Sequence, residues 1–427
     1  MARFPQWYRF RPDGTNAEQR GIGRSDGCSN SANLRMEAAT VATQPEDRVE
    51  PVQAEVHTSA AYRLVEELLS RADVRLDGSR PWDIRLLDPK VPERVLAYGN
   101  LGFGEAYMQG QWECDQLDEL FRRILMARVD EQVHGTRLIW QALRARWTNR
   151  QTARRAWQVG EQHYDIGNAF YEAMLDRRMT YTCGYWGDGA TTLDQAQEHK
   201  LDLICRKLGL KPGMRLLDIG CGWGSLMGYA AERYGVSCVG VTISKEQAAW
   251  GAKRYAHLPI EFRLTDYRDV DERFDRIASV GMFEHVGARN YRTYMEVAQR
   301  CLADDGLFLL HTIGKNRRET TPDPWIDRYI FPNGEIPALA HVTEALEGLF
   351  VVEDLHNFGA DYDRTLMAWY RNFDAAWPRF AAEKGETFRR MWRYYLLSCA
   401  GGFRAREIQL WQWVLSPRGV VGGYHRP

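Results

Sequence analysis

Short apolar runs alternate with segments of helical spacing from His163 to the end of the chain. This pattern constrains the fold most, because strands that alternate with helices pair into a mostly parallel sheet. Seven strands are predicted, at Arg215–Asp218, Ser237–Val241, Ile260–Leu264, Phe274–Val280, Gly306–Leu310, Val351–Leu355 and Ile408–Leu415. Helices are predicted between them at Ser225–Tyr234, Lys245–Tyr255 and Tyr291–Leu302. The predicted fold class is therefore α/β, with a smaller α+β region before the sheet.

A glycine-rich segment, Asp218–Gly224 (DIGCGWG), follows the first of these strands and opens the first helix. Ligands of open α/β sheets bind at such strand ends, and glycine lets the backbone turn tightly and approach a ligand. The spacing of Gly220, Gly222 and Gly224 differs from the G-x-G-x-x-G of dinucleotide sites, and no Walker lysine follows. An acid followed by this spacing resembles motif I of class I methyltransferases, the Rossmann-like enzymes that use S-adenosylmethionine (SAM). The resemblance implies that Asp218 orients the amino-acid part of SAM.

Polar residues after the next two strands are predicted to contact the rest of this cofactor. Many such enzymes carry an acid after the second strand to hold the ribose hydroxyls. That acid is absent here, so Thr242 and Gln247 are the expected polar contacts. Asp266, with Tyr267 beside it, follows the third strand and is expected to accept a hydrogen bond from the adenine amino group. The alternative for Asp266 is a turn residue at the start of a loop.

The 427 residues are enough for two to three domains. Residues 1–55 lack periodic apolar positions and are predicted to be a flexible extension, with Met36 as an alternative start. Residues 56–150 are predicted to form the small N-terminal α+β domain, and residues 151–160 a basic linker. Residues 161–427 are predicted to form the catalytic domain.

Composition excludes several classes of protein. With 44% hydrophobic and 26% charged residues, the chain is not disordered as a whole. No run approaches about 18 consecutive apolar residues, and the first 20 residues contain no apolar secretory segment. The eight cysteines are scattered, without a CxxC pair or metal-ligand spacing, so no metal site is predicted. We expect reduced thiols in a cytoplasmic protein.

Positive charge is concentrated between residues 121 and 160, where nine arginines accompany only two acids. Tryptophans and arginines there recur in two separate rows, Trp140 with Trp147 and Arg146 with Arg150 and Arg154. Tryptophan on one side and arginine on the other is typical of a helix at a membrane surface. The alternative is a solvated basic face whose tryptophans pack on their own domain. Nucleic-acid binding is not expected, because no base-reading module accompanies the segment.

Beyond these local patterns, the chain from about residue 60 to its end resembles the cyclopropane-fatty-acyl-phospholipid synthases. Eight phrases carry the resemblance in the same order: His163–Asn168 (HYDIGN), Tyr181–Trp186 (YTCGYW), Leu217–Gly224 (LDIGCGWG), Met282–Gly287 (MFEHVG), His311–Gly314 (HTIG), Tyr329–Gly334 (YIFPNG), Asp361–Thr365 (DYDRT) and Ser398–Gly401 (SCAG). The family implies that residues 60–150 recognise lipid and dimerise. It also implies a homodimer bound peripherally to the inner face of the cell membrane, with unsaturated membrane phospholipids as substrates.

The chemistry of this family explains the types of residue in the phrases. A cis double bond in an acyl chain attacks the methyl of SAM, and a base then removes a proton from the new methyl so that a cyclopropane ring closes. In this family the base is bicarbonate, and the resemblance implies that Cys183, Glu284, His311, the backbone of Ile313 and Tyr362 bind it. The resemblance also assigns Cys399 to the catalytic residues and Tyr181 and Thr182 to the cofactor site.

Taken singly, these residues have plainer interpretations. His311 after a strand is compatible with a satisfied core histidine, Glu284 with a helix cap, and Cys183 with a small buried residue. The aromatic stripes of residues 366–377 and 391–399 fit either a core or an acyl tunnel. Two rival functions follow: a methyltransferase that leaves a methyl branch instead of a ring, and a lipid-binding scaffold without catalysis.

Overall fold

The computed structural model describes residues 59–129, 166–318 and 322–427. The predicted extension, the basic linker and the Trp and Arg rows of residues 140–154 lie outside the described residues. Half of the first of the eight family phrases, residues 163–165, lies outside them as well.

A seven-stranded sheet forms the centre of the molecule, in the order β5-β4-β3-β6-β7-β9-β8. The strands, together with a separate two-stranded ladder of β1 and β2, are β1 (Arg85–Leu86), β2 (Trp112–Glu113), β3 (Arg215–Ile219), β4 (Ser237–Thr242), β5 (Ile260–Leu264), β6 (Phe274–Val280), β7 (Leu302–Lys315), β8 (Val351–Asn357) and β9 (Ile408–Ser416). The first five strands of the sheet pair in parallel, whereas β9 runs antiparallel to both β7 and β8. The predicted seven-stranded, mostly parallel sheet is confirmed.

Twelve α-helices are present in the described residues. They are α1 (Ala60–Ser70), α2 (Val91–Met108), α3 (Leu117–Met126), α4 (Asn168–Met174), α5 (Leu193–Lys207), α6 (Ser225–Tyr234), α7 (Lys245–Arg254), α8 (Tyr291–Cys301), α9 (Pro324–Tyr329), α10 (Leu339–Leu346), α11 (Ala360–Ala376) and α12 (Ala381–Arg404). Side chains at their starts explain several of these boundaries. Thr192 and Gln195 form a capping box at the start of α5, and the Ser244 hydroxyl caps α7.

Alternating residues of the sheet pack against helices on its two faces. On β3, Leu216 joins the core formed with α5 and α6, while its neighbour Leu217 joins the core formed with α8 and α10. This alternation follows from the two-residue period of a strand. Because both faces are covered, the parallel strands read as nearly continuous apolar runs in the sequence.

The fifth predicted strand, Gly306–Leu310, is much shorter than the observed β7. The polar stretch Asp304-Asp305 hides the beginning of β7, where the pairing with β6 is irregular between Phe274 and Arg276. The second half of β7, up to Lys315, is paired with β9 from the far end of the chain. Neither a strand irregularity nor a pairing partner a hundred residues away is visible in a local pattern.

Residues 59–129 pack against the C-terminal helices and share one apolar core with α4, α11 and α12. Arg390 on α12 donates to the Tyr107 and Trp112 carbonyls and pairs with Glu113 at 2.5 Å. Arg404, near the end of the same helix, pairs with Asp118 at 2.7 Å. The small N-terminal part is therefore held against the part that carries the sheet by buried contacts and by arginines of a single helix.

In the part of the chain that the structure describes, no helix is both long and apolar enough to cross a bilayer. The longest, α12, contains a break in helical geometry at Gly385, where φ is +74°. Its polar and charged residues include the two arginines that pair with residues of the N-terminal part.

Candidate active site

A cavity of about 170 Å³ lies at the carboxyl ends of β3, β4, β5 and β6. We call it the cofactor cavity. Nine of the ten residues predicted to contact the cofactor line it, and Gly224 does not. The nine are Tyr181, Thr182, Asp218, Gly220, Gly222, Thr242, Gln247, Asp266 and Tyr267. The position fits the rule that open α/β sheets bind ligands beyond the ends of their parallel strands.

Each glycine of the DIGCGWG segment has a positive φ: +83° at Gly220, +55° at Gly222 and +85° at Gly224. A side chain at Gly220 would collide with Met282, and one at Gly224 with Phe262. A Cβ on Gly222, in contrast, would meet no atom within 4 Å. Gly220 and Gly224 are thus required by packing and by backbone conformation, whereas Gly222 borders open space within the cavity.

Two opposite charges are buried in the wall of this cavity. Asp218 is 2% exposed, and its Oδ1 has no hydrogen-bond partner among the described residues. Lys200 on α5 is 1% exposed and donates from Nζ to the Thr182 hydroxyl at 2.9 Å. Burial raises the pKa of Asp218 to about 7 and lowers the pKa of Lys200 to about 8. An acid and an amine in one small cavity suit a zwitterionic ligand.

The remaining predicted cofactor residues are placed by short local contacts. The Thr242 hydroxyl accepts from the Ser244 amide at 3.2 Å, and Gln247 is buried in the first turn of α7. Asp266 accepts from the Arg268 backbone amide and pairs with its guanidinium at 2.6 Å. Asp266 therefore is the turn residue of the alternative interpretation and still lines the cavity.

A second and larger cavity of about 1260 Å³ lies between the N-terminal part and the C-terminal helices. We call it the apolar cavity. Side chains of α1, α2 and α3 line one side, including Leu68, Val95 and Phe121, and α12 contributes Tyr395 on the other. The volume exceeds the roughly 300–1,000 Å³ of common small-ligand pockets. Such a space suits a long apolar ligand.

The two cavities share a wall. Tyr181, Thr182, Gly281 and His285 line both of them. The Tyr181 hydroxyl lies 2.9 Å from the Tyr395 hydroxyl, which ties this wall to α12. The cofactor cavity and the apolar cavity therefore adjoin at these four residues.

Glu284 lies in the wall of the apolar cavity, in the short 3₁₀ turn after β6. Its Oε1 accepts from the Ile313 amide at 2.6 Å, while its Oε2 is buried and without a hydrogen-bond partner in the described part of the chain. Burial raises the pKa of Glu284 to about 7, and the Ile313 N–H opposes this shift. Ile313 and Tyr362 line the same cavity. These three residues of the predicted bicarbonate set are thus together.

His311 and Cys183, the other two members of that set, are not among the residues that line either cavity. The His311 ring is 1% exposed, with Nδ1 at 3.1 Å from Gln412 and Nε2 unpartnered within the described ranges. The Cys183 thiol is fully buried and contacts the Gly184 carbonyl at 3.2 Å. Burial, together with the negative charges that Cys183 and Glu284 would carry, raises the pKa of the Tyr362 hydroxyl, so these groups lie near one another.

Cys399 lines the apolar cavity from α12. Burial raises the pKa of its thiol to about 12, so the thiolate is disfavoured at neutral pH. Among the described residues, the charge that acts on this thiol is the negative charge of Asp323, which also raises its pKa.

Sequence reasoning missed Lys200, Lys207 and Gln412, all of which are buried. One signal was present for the two lysines. They are seven residues apart in α5, on the same face as Leu201, Ile204 and Leu208. A lysine on the apolar face of a helix is rarely buried without a partner. No local signal distinguished Gln412 within its strand.

Three of the nine arginines of the basic segment, Arg122, Arg123 and Arg128, lie in the described part of the chain. Arg122 and Arg123 pair with Glu119 at 2.5 and 2.8 Å, and Arg123 also pairs with Asp73 at 2.7 Å. Glu119 and Asp73 lie outside residues 121–160, so the positive charge of these two arginines is balanced by acids that precede the basic segment.

The Rossmann-like sheet, the glycine loop with positive φ and the cavity at the strand ends define a class I SAM-dependent methyltransferase. Within that class, the profile of the mycolic acid cyclopropane synthetase family matches residues 151–413. The chain belongs to this family, and the predicted family resemblance is confirmed.

Two kinds of relative agree with this assignment. A protein of Escherichia coli strain K12, named cyclopropane-fatty-acyl-phospholipid synthase, is 53% identical over 363 residues, which cover 85% of this chain and 94% of that protein. Among solved structures, the cyclopropane synthase MmaA2 from Mycobacterium tuberculosis is 33% identical, with a TM-score of 0.58 over 61% of this chain and 97% of that one. The mycolic acid cyclopropane synthase CmaA1, solved with SAH and CTAB, is 34% identical, with a TM-score of 0.57 over the same shares.

Proposed function

We propose that this enzyme transfers the methyl of SAM to the cis double bond of an unsaturated phospholipid acyl chain and closes a cyclopropane ring. The wall shared by the cofactor cavity and the large apolar cavity carries the proposal. An alkene is a weak nucleophile, so it must be held in line with the methyl group and away from water. The high identity to the Escherichia coli enzyme supports the same substrate class.

The residues of the cofactor cavity fit SAM. The unpartnered Asp218 Oδ1 suits the α-ammonium group, and the Lys200 ammonium suits the α-carboxylate. Gly222 leaves open space where a ligand approaches the backbone. SAM bound in this cavity would supply an electrophilic methyl group, and Tyr181 and Thr182, which line both cavities, would lie between the cofactor site and the apolar cavity.

The residues near Glu284 fit a small oxyanion such as bicarbonate, which supplies a base for the proton of the new methyl group. Two buried polar atoms, Glu284 Oε2 and His311 Nε2, lack partners among the described residues and are available to bind it. With a pKa of about 7, Glu284 is about half protonated at neutral pH, and its protonated form does not repel an anion. The Ile313 amide already bonds to Glu284, so it serves this set by orienting the carboxyl group. Cys183 and Tyr362 complete the proposed set.

Aromatic rings surround the proposed reaction position. Tyr181 packs at 5.1 Å from the Trp369 ring, and Tyr362 at 6.0 Å from the same ring. Methyl transfer to a double bond leaves positive charge on the acyl chain, and aromatic faces stabilise a cation without being alkylated as readily as a thiolate. The buried, protonated thiols of Cys183 and Cys399 are compatible with this requirement.

We also propose that the enzyme is cytoplasmic, that it binds the inner face of the cell membrane peripherally and that it forms a homodimer. The Trp and Arg rows of the basic segment support the membrane contact. The lining of the apolar cavity by α1, α2 and α3 supports lipid recognition by residues 56–150.

The test is expression of the enzyme in a bacterial strain that lacks cyclopropane lipids, followed by mass spectrometry of its fatty acids. Ring formation adds one CH₂ to an unsaturated chain, and the product resists hydrogenation. A methyl-branched product would instead indicate the rival methyltransferase, and unchanged lipids would indicate a scaffold without catalysis.

A Gly222→Val variant is the matched control for this experiment. The branched side chain would occupy open space in the cofactor cavity at a φ of +55°, so SAM binding measured by calorimetry should be lost. A folded Gly222→Val protein with normal SAM affinity would show that the glycine segment does not hold the cofactor.

A further inference from the structure

Three side chains form a row across the antiparallel end of the sheet. In the strand register, His311 on β7 is paired with Gln412 on β9, and Gln412 is paired with His356 on β8. Directly paired residues of neighbouring strands point to the same face. Lys207, in the last turn of α5, approaches this row from the helix that covers that face.

Lys207 fixes the orientation of the Gln412 amide. Its Nζ is fully buried and lies 2.9 Å from Gln412 Oε1 and 3.1 Å from His356 Nδ1. The structure shows Lys207 Nζ donating to Gln412 Oε1, and the ammonium form of a lysine has three N–H donors and no acceptor. Since a carbonyl oxygen only accepts, Oε1 of Gln412 must face Lys207. The Nε2 of Gln412 therefore faces His311, at 3.1 Å from its Nδ1.

This orientation determines where the His311 ring carries its hydrogen. An amide NH₂ group donates, so Nδ1 of His311 must accept and cannot be protonated. Burial, together with the positive charges of Lys200 and Lys207, keeps the pKa of His311 well below its usual value, so the ring is neutral. Its one hydrogen is on Nε2, a buried atom without a partner in the described residues.

We infer that Gln412, held in place by Lys207, is a positioning residue that keeps His311 in the Nε2–H tautomer. His311 then offers a hydrogen-bond donor to an anion and cannot act as the base itself. The inference deepens the proposed function and rests on it, since it assigns His311 the role of anchoring the bound oxyanion.

Contacts toward the surface hold the lysine. Asp354 on β8 lies 3.8 Å from Lys207 Nζ and forms an ion pair with Arg426 near the end of the chain. The Tyr424 hydroxyl donates to the Lys207 carbonyl at 3.0 Å. Tyr424 and Arg426 thus pack against Lys207 and Asp354 and help to hold Lys207 beside Gln412.

The tautomer is measured by nuclear magnetic resonance on the whole enzyme with ¹⁵N-labelled histidine, with the His311 signals identified by their loss in a His311→Gln variant. We expect the parent enzyme to show an unprotonated Nδ1 and a protonated Nε2. In Gln412→Glu, where the carboxylate can only accept, Nδ1 should become protonated. The inference is wrong if the parent already carries its hydrogen on Nδ1, or if Gln412→Glu leaves Nδ1 unprotonated.

A kinetic readout separates positioning from a merely structural role. In Gln412→Leu the ring loses its fixed tautomer, and the KM for bicarbonate in CO₂-depleted buffer should rise about fivefold to tenfold, the scale of one lost hydrogen bond. The Kd for SAM should not change. Gln409→Leu is the matched control, because Gln409 is a buried residue of the same strand that bonds Arg406 and Asn357 instead. An unchanged KM for bicarbonate in Gln412→Leu would overturn the inference.

Failure of the proposed function would look different. If the parent enzyme turned over equally well without bicarbonate, the oxyanion site would be wrong, and with it the anchoring role of His311. The resonance experiment would still decide the tautomer, since it needs neither substrate nor bicarbonate.

Discussion

Single buried carboxyl groups determine how this site responds to pH, and Glu284 is the clearest example. Glu284→Gln keeps the acceptor for the Ile313 amide but cannot ionise or exchange a proton. We expect turnover to fall by about 100-fold, because bicarbonate, the proposed base, would lose one of its ligands and general-base catalysis contributes at least about 100-fold. His311→Gln should behave in the same way. SAM affinity, measured by calorimetry, should stay nearly intact in both, because neither residue lines the cofactor cavity. A loss of SAM affinity parallel to activity would contradict the assignment.

The same variant has a stability signature. The pKa of Glu284 is about 7 in the folded protein and 4.5 ordinarily, so the folded state binds more protons between these values. The stability of the parent therefore falls as pH rises through this window. Glu284→Gln has no carboxyl group to ionise, so its unfolding free energy should not fall in this way. Relative to the parent, the unfolding free energy of the variant should rise by up to about 3 kcal/mol as the pH increases from 4.5 to 7. Urea denaturation at both pH values measures the difference.

Lys200 is the residue of the cofactor cavity that most clearly tests charge recognition. Lys200→Met removes the proposed partner of the SAM carboxylate and should weaken SAM binding by about 30-fold, as expected for truncation of a buried charge pair. Decarboxylated SAM, which lacks that carboxylate, should bind the variant and the parent almost equally. Lys200→Arg retains the charge and should recover part of the affinity. Equal weakening of both ligands in Lys200→Met would mean that Lys200 only supports the fold.

At the scale of helices and strands, local patterns were sufficient where an element depends on its own residues. The bounds of β5, β6 and α6 agree with the sequence predictions, because apolar spacing and flanking turn residues determine them. Asp218, in the glycine segment at the end of β3, was predicted for the same reason, whereas the role of Glu284 was predicted from the family resemblance.

Local patterns failed where distant pairing decides the structure. The full length of β7 depends on β9, which is the source of Gln412 beside His311. Lys200 and Lys207 are buried only because α5 packs on the sheet. This packing places Lys200 at Thr182 of the cofactor cavity and Lys207 at Gln412. A pattern along the chain records spacing within an element, and these contacts depend on which elements meet.

Binding to membranes tests the role of the basic segment, residues 121–160. Each arginine near an anionic surface contributes on the order of 1 kcal/mol, and salt screens this attraction over about 10 Å at 0.1 M. An Arg146/Arg150/Arg154→Gln triple variant should therefore bind anionic vesicles more weakly at low salt in a sedimentation assay. Activity on vesicles should fall with binding, while SAM affinity should not change.

A variant with the same change of charge is the control. Lys211, Arg233 and Lys253 are exposed residues of the sheet-bearing part, and their replacement by Gln should leave vesicle binding close to that of the parent. If the Arg146/Arg150/Arg154 variant also sedimented like the parent, the row would be a solvated face, and lipid recognition would lie elsewhere in the N-terminal part.

For the molecule as a whole, activity on lipid depends on how the N-terminal part is seated on α12, since the apolar cavity lies between them. Gly401 is a point of close contact between α12 and α3. A Cβ added there would lie 2.6 Å from the Asp118 carbonyl oxygen and 2.7 Å from the Phe121 Cβ, and backbone atoms cannot yield easily. At the next residue, Gly402, an added Cβ would find its nearest neighbour at 3.5 Å, an ordinary contact.

These adjacent glycines of one helix give a matched pair. Gly401→Ala should destabilise the protein by about 1–3 kcal/mol, the usual cost of overpacking, whereas Gly402→Ala should be neutral or stabilising by up to about 1 kcal/mol. Urea denaturation measures both.

In Gly401→Ala the displaced α3 should also alter the apolar cavity, so turnover of vesicle lipids should fall. SAM binding, in the neighbouring cofactor cavity, should persist. Equal stability of the two variants would show that α12 and α3 are not in the contact described. An equal loss of SAM binding and of lipid turnover in Gly401→Ala would show that the change at α3 disturbs both cavities.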